Sequence, residues 1–181
     1  VSKMTTVDFA NKFLFEPLSI APRKIYVAPD AETHKAFTIG KTPKGKIWFS
    51  DNKGVGAAGY GLCLSADEMA KIGLLCLKNG IFNNKRIVSE KWLEESFMVR
   101  LCCGEKFRDM KYGYLWWIID ENEGSYAAIG NSGNVIYINH RKDLVVAVSS
   151  YFKPTIFDRI DFIKEQIEEK FETERKVKTV K

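Results

Sequence analysis

The sequence predicts an α+β fold, an antiparallel sheet meander with a C-terminal covering helix, preceded by an N-terminal helical and irregular region. Three observations carry this. Four strand-like segments follow one another at 114–120, 126–130, 134–140 and 144–151, joined by short polar turns such as Asn139-His140-Arg141-Lys142-Asp143. Ile156, Ile160, Ile163, Ile167 and Phe171 then recur with helical spacing, an apolar stripe suited to lying across one face of that sheet. The first half holds two hydroxyl-to-carboxylate pairs at capping-box spacing, each opening a helical apolar pattern.

In chain order, Thr5-Thr6-Val7-Asp8 is the first such pair, and Val7, Ala10, Phe13 and Leu14 form the apolar face behind it until Pro17 stops the helix. From Ser19 to about Gly59 the periodicity fades among prolines and glycines, which predicts a long irregular excursion with one short strand at Lys46-Ile47-Trp48-Phe49. Loops of that length tend to carry function. Ser65-Ala66-Asp67-Glu68 opens the second helix, with Met69, Ala70, Gly73, Leu74 and Leu77 facing the core and Asn79-Gly80 ending it. Ile81-Phe82, an Asn83-Asn84 turn and Arg86-Ile87-Val88 read as a small hairpin, and Ser89 caps a helix containing Trp92, Leu93 and Phe97. Cys102 to Arg108 reads as loop. Pro154-Thr155 starts the terminal helix. The expected organisation is one partial domain over 1–174, helical and irregular at 1–111 and sheet plus terminal helix at 112–174, followed by a basic tail at 175–181.

Composition excludes several functions. With 181 residues, 45% hydrophobic and 28% charged, the chain can bury a core. Its net charge of +5 is scattered, and the one dense basic run, Arg175 to Lys181, reads as a solvated terminus. No helix has a basic face and the aromatic residues sit in apolar runs, so no nucleic-acid partner is expected. Cys63, Cys76, Cys102 and Cys103 lack paired spacing, and the two histidines, His34 and His140, lie in polar loop contexts that predict solvation; no metal and no cofactor are implied. No run has transmembrane length. The chain opens at Val1 almost directly onto a helix, which suggests a piece of a longer product.

The segment Ala127-Ala128-Ile129-Gly130-Asn131-Ser132-Gly133-Asn134 stands out, a Gly/Asn/Ser stretch held between strand-forming runs. Glycine at both ends permits close backbone approach. From spacing alone, a tight bend between strands and the wall of a pocket are equally open.

Three segments together resemble the serine beta-lactamase-like superfamily of class C beta-lactamases, penicillin-binding proteins, DD-peptidases and related esterases. They are Phe9 to Ile20, with its Phe15-Glu16-Pro17-Leu18-Ser19-Ile20; Gly59 to Gly73, with Gly61-Leu62-Cys63-Leu64-Ser65-Ala66-Asp67-Glu68-Met69-Ala70-Lys71-Ile72-Gly73; and Tyr112-Gly113-Tyr114-Leu115-Trp116-Trp117 through Gly130-Asn131-Ser132-Gly133-Asn134 to Asp143-Leu144-Val145-Val146-Ala147-Val148. Order and spacing match up to the final helix. The resemblance implies a partial beta-lactamase/transpeptidase-like fold and amide or ester hydrolysis through an acyl-enzyme. It implies that Asn131, Ser132 and Gly133 stand where relatives carry Lys or His, Thr and Gly, and that the backbone N–H of Asn134 is the strand-borne oxyanion donor. It also implies that the S-x-x-K and Tyr-x-Asn elements precede Val1, so the chain holds no nucleophile and is inactive alone. Asn131 lacks the positive charge of that position, which shifts the expected chemistry from beta-lactam or D-Ala-D-Ala substrates toward other amides or esters. Relatives often act outside the cytoplasm, for which the four cysteines give no support.

Three lookalikes are set aside. Ser50-Asp51-Asn52-Lys53 spells S-x-x-K but lies in an Asp/Asn/Gly loop rather than opening an apolar helix. Tyr137-Ile138-Asn139 falls on a strand and reads as sheet packing. Lys41-Thr42-Pro43 imitates K-T-G, but its proline removes an N–H. Trp116 and Trp117, on opposite strand faces, read as packing residues. In relatives the last strand pairs with an N-terminal strand. Leu144 to Tyr151 is therefore expected to pair with the N-terminal part of the same protein or with a second copy. The alternative function is a non-catalytic binding or scaffold domain for peptide or cell-wall fragments; a hydrolase using Ser50 or Ser132 within this chain is the weakest reading.

Overall fold

The computed structural model describes residues 2–38, 45–130, 133–150 and 158–172. The chain forms two compact units, Val1–Ser96 and Phe97–Lys181.

In the first unit, Thr5 Oγ1 accepts the Asp8 N–H at 3.0 Å and starts α1 (Thr6–Ala10), which continues as a π-helical turn, Asn11–Phe15. The wider turn alters the buried face from the one expected. Val7, Ala10 and Phe15 are buried, while Phe13 is exposed and packs on Phe9 at 4.7 Å between ring centroids. The Asn11 side chain fixes this geometry by donating to Arg23 O at 2.9 Å and accepting the Arg23 N–H at 2.7 Å.

The stretch expected to be irregular is more ordered than its sequence suggests. β1 (Lys24–Tyr26) pairs in parallel with β2 (Ile47–Phe49), and α2 (Ala31–Thr38) lies between them in sequence. Asp30 Oδ1 accepts the Thr33 N–H at 2.7 Å at the start of α2. Phe37 and Phe49 meet at 5.0 Å, and His34, exposed as expected, also stacks on Phe49 at 4.8 Å and bonds the Tyr60 hydroxyl at 3.2 Å.

Ser65 and Glu68 form the predicted reciprocal capping box of α3 (Ala66–Leu77). Met69, Gly73 and Leu77 are buried as expected; Leu74 is exposed, and Leu75 and Cys76 take the inner face instead. Leu75 joins Ala10, Phe15, Leu18 and Ile20 in the core of this unit. β3 (Ile81–Phe82) and β4 (Lys85–Arg86) form the expected hairpin, with Asn83 and Asn84 at φ 48° and 59°, the left-handed pair that a two-residue turn requires. Ser89 Oγ accepts the Trp92 N–H at 3.2 Å and caps α4 (Glu90–Phe97).

The second unit contains a six-stranded antiparallel sheet in the order β10-β9-β8-β7-β6-β5. The four predicted strands are present as β7 (Trp117–Asp120), β8 (Ser125–Ile129), β9 (Val135–Asn139) and β10 (Leu144–Val148). β5 (Leu101–Cys102) and β6 (Lys111–Tyr112) were not expected; they extend the sheet by two-residue pairings around a 3₁₀ turn, Glu105–Phe107. All five β9 residues are buried, as suits a strand with neighbours on both edges. The terminal helix is described from α5 (Asp158–Phe162), continuing as π-helix over Ile163–Glu168. Ile160 and Ile163 pack on Ala127, Val135 and Tyr137, as the apolar stripe predicts. Pro154, Thr155, Ile156 and the basic tail lie outside the described residues. Among the described residues no helix is long and apolar enough to cross a membrane.

Candidate functional site

Antiparallel strands close onto a glycine when the connecting loop needs a left-handed residue. β8 and β9 end their ladder at the Ile129–Val135 pair, beyond which the Gly130 N–H donates to Asn134 O and the Gly133 N–H donates to Gly130 O, both at 2.9 Å. Gly133 has φ +81° and is buried. A β-carbon placed on it would lie 3.2 Å from Ser150 Oγ and 3.4 Å from Arg159 Nε, so only glycine fits without displacing a neighbour.

The turn is also tied from its side. Asn134 Oδ1 accepts the Ser150 N–H at 2.8 Å, and Arg159 Nη2 donates to Ser150 Oγ at 2.8 Å. Of the four wall residues expected from the sequence, Gly133 and Asn134 stand together in this turn; Asn131 and Ser132 lie outside the described residues. Ser150 and Arg159 were not anticipated. They come from the segment just after β10 and from the terminal helix, and no local spacing announces that they converge on Gly133.

The lookalikes have other positions. Ser50 is 1% exposed, its hydroxyl donates to Trp48 O at 3.1 Å, and it sits in an isolated bridge with Gly56 rather than at a helix start. Tyr137 and Asn139 share a face of β9 and turn to the terminal helix: the Tyr137 hydroxyl and Asn139 Nδ2 both donate to Glu168 Oε1, at 2.6 and 2.9 Å. Burial and the adjacent Glu168 raise the Tyr137 phenol above its ordinary pKa, so it stays a proton donor. Lys142 Nζ donates to Glu168 Oε2 at 2.9 Å and stands 3.6 Å from Glu123 and 3.4 Å from Glu172. Lys41, Thr42 and Pro43 lie outside the described residues.

Elsewhere in the second unit, Trp116 packs edge-on against Phe97 at 5.3 Å, and Trp117 packs on Tyr112 at 4.7 Å. His140, expected to be solvated, is instead half-buried between Phe97 and Tyr126. The four cysteines are unpaired by disulfides, and burial pushes the Cys76 thiol up to about 12. Among the described residues no group of three His, Cys, Asp or Glu side chains is placed to hold a metal ion. An open groove of about 530 Å³ in the first unit is lined by Arg23, Lys46, Cys63, Ser65, Glu68 and Lys71 among others. Its buried guanidinium is engaged with Ala21 O, Cys63 O and Glu68.

Comparison with known proteins gives this geometry a context. No family model matches the chain. A 6-aminohexanoate-dimer hydrolase from Paenarthrobacter ureafaciens is 27% identical over 112 residues, a match covering 58% of this chain and 29% of that protein. A solved structure of a candidate 6-aminohexanoate-dimer hydrolase from Bacillus anthracis matches with a TM-score of 0.52 at 28% identity, covering 65% of this chain and 30% of that one. A candidate beta-lactamase from Bacteroides dorei matches with a TM-score of 0.49 at 15% identity, covering 86% of this chain and 49% of that one. The chain therefore spans less than a third of the length of the curated relative. The mixed architecture, a six-stranded antiparallel sheet together with helices, is similar to that of the Bacillus anthracis structure.

Proposed function

From this partial homology with serine beta-lactamase-like hydrolases, we propose that the chain is the C-terminal part of such an enzyme and supplies one wall of its acyl-transfer pocket. Asn131, Ser132, Gly133 and Asn134 form that wall. The observation that carries the reading is the Gly130–Gly133 closure at the head of β9, with a buried left-handed glycine where a substrate carbonyl must approach backbone. In this reading a serine hydroxyl attacks the amide or ester carbonyl and the Asn134 N–H donates to the oxyanion that forms. Collapse of the intermediate expels the amine or alcohol, and water releases the acyl group. The serine and its proton acceptor come from the N-terminal part of the same protein, and either that part or a second copy pairs with 144–151. The neutral side chain of Asn131 fits linear amides or esters better than substrates anchored by a carboxylate at that position.

The test is acylation by a fluorophosphonate probe. The chain alone should take no label. Co-expression with a segment bearing S-x-x-K and Tyr-x-Asn should give a complex that labels on that segment's serine and hydrolyses an amide or ester. Labelling of this chain by itself at Ser50 or Ser132 would overturn the proposal. The neutral Asn131 is also what a binding domain that has shed catalysis would carry. A complemented complex that binds peptide or cell-wall fragments without ever acylating would establish that second reading.

A further inference from the structure

The Asn131-Ser132-Gly133-Asn134 sequence contains no charged side chain, yet a cation stands beside Gly133. Ser150 Oγ and Arg159 Nε are the atoms a Gly133 β-carbon would meet, at 3.2 and 3.4 Å, so both side chains stand directly behind the turn. They are linked, since Arg159 Nη2 donates to Ser150 Oγ and the Ser150 N–H donates to Asn134 Oδ1, each at 2.8 Å. A relay therefore runs from the terminal helix through Ser150, just past β10, to Asn134, the residue before β9. Arginine keeps its charge at any pH at which a protein folds, and its planar fork loses little freedom once fixed. A fixed positive charge behind backbone amides favours negative charge in front of them, without reorganisation at the moment that charge appears.

We propose that Arg159 is a positioning residue of the Gly130–Asn134 wall: it holds Asn134 through Ser150 and supplies the positive potential that the segment's own side chains lack. The assignment rests on the reading of this turn as an oxyanion-side wall. It gives the terminal helix a part in the site as well as in covering the sheet.

The whole chain, labelled with ¹⁵N, tests this by NMR with acetate and acetamide as the anionic and neutral acyl probes. In the native chain, acetate should move the Gly133 and Asn134 amide signals about threefold more than acetamide at equal concentration and ionic strength. Arg159→Gln should abolish that preference, and Arg159→Lys should restore part of it. Ser150→Ala keeps the charge but cuts the relay. It should shift the Asn134 signal while retaining a preference for acetate, and it keeps the idea testable should Arg159→Gln fail to fold. Equal responses to the two probes in the native chain, or an acetate preference that survives Arg159→Gln, would overturn the assignment. The probes need no nucleophile, so their outcome is independent of acylation. Absent acylation in the complemented enzyme would sink the hydrolase reading alone, whereas loss of the acetate preference with acylation intact would sink only the role of Arg159.

Discussion

The Tyr137 hydroxyl donates to Glu168 Oε1 at 2.6 Å, joining the fully buried centre of β9 to the terminal helix out of reach of water. Burial alone would raise the Glu168 pKa. The donors Tyr137, Lys142 and Asn139 outweigh it and hold the carboxyl below its ordinary 4.5. A carboxyl depressed in the folded state stabilises the fold fully above its unfolded value, and that contribution fades as pH falls through the lower folded value. Glu168→Gln should therefore cost about 2 to 4 kcal/mol at pH 7. Urea unfolding as a function of pH should show the gap to the native chain narrowing below about pH 4.5. A gap that does not change with pH would mean that shape, not charge, is what Glu168 contributes.

Two substitutions in one capping box should differ in severity. Ser65→Ala removes a cap acceptor and should cost about 1 kcal/mol. Glu68→Ala also strips the carboxylate from the Arg23 guanidinium, whose side chain is 1% exposed and keeps only the Ala21 and Cys63 carbonyls, and should cost about 3 kcal/mol. Thermal unfolding of the two variants ranks them, and equal losses would show that Arg23 finds other company.

Gly80 and Gly104 share a positive φ, +84° and +74°, but not their surroundings. A β-carbon on Gly80 would fall 2.1 Å from Val88 O, whereas nothing lies within 4 Å of one on Gly104. Gly104, with ψ 177°, sits in a region open almost only to glycine, so Gly104→Ala should cost that conformational penalty of about 1 to 3 kcal/mol, and Gly80→Ala should exceed it by at least about 2. Gly133→Ala should fall between them, because Ser150 and Arg159 can yield a little. Denaturant midpoints would expose any other order.

β10 pairs with β9 and with no other described strand, and its sequence Leu144 to Val148 carries no charge. An apolar edge of this kind recruits partners. Sedimentation of the isolated chain should show concentration-dependent association. Val145→Lys should shift it toward monomer, since Val146 and Val148 are the residues packed on the core. Association unaffected by that charge would place the contact elsewhere.

What could be read from sequence alone followed the strength of local signals. Ser65 with Glu68, and Asn83 with Asn84, announce their structures because cap and turn are decided within four residues. β9 and β10 were legible from continuous apolar runs. β1, β5 and β6 escaped because two or three residues carry no periodicity, and α2 because Phe37 is its one buried residue. Phe13 was misjudged because a π-helical turn breaks the 3.6-residue spacing on which the expectation rested. At the candidate site, the turn at Gly133 was legible because its requirement for glycine is local. Arg159 and Ser150 were invisible because their meeting is set by how the helix crosses the sheet.

The sheet thins toward one rim, from five-residue pairings of β9 with β8 and β10 to two-residue pairings at β6 and β5. Opening should begin where few bonds must part together and proceed inward, so amides of Leu101, Cys102, Lys111 and Tyr112 would trade hydrogen with solvent long before those of β9. The Gly133 turn hangs on the slow side of that gradient. Whatever docks there would meet a surface that keeps its form while the far rim breathes.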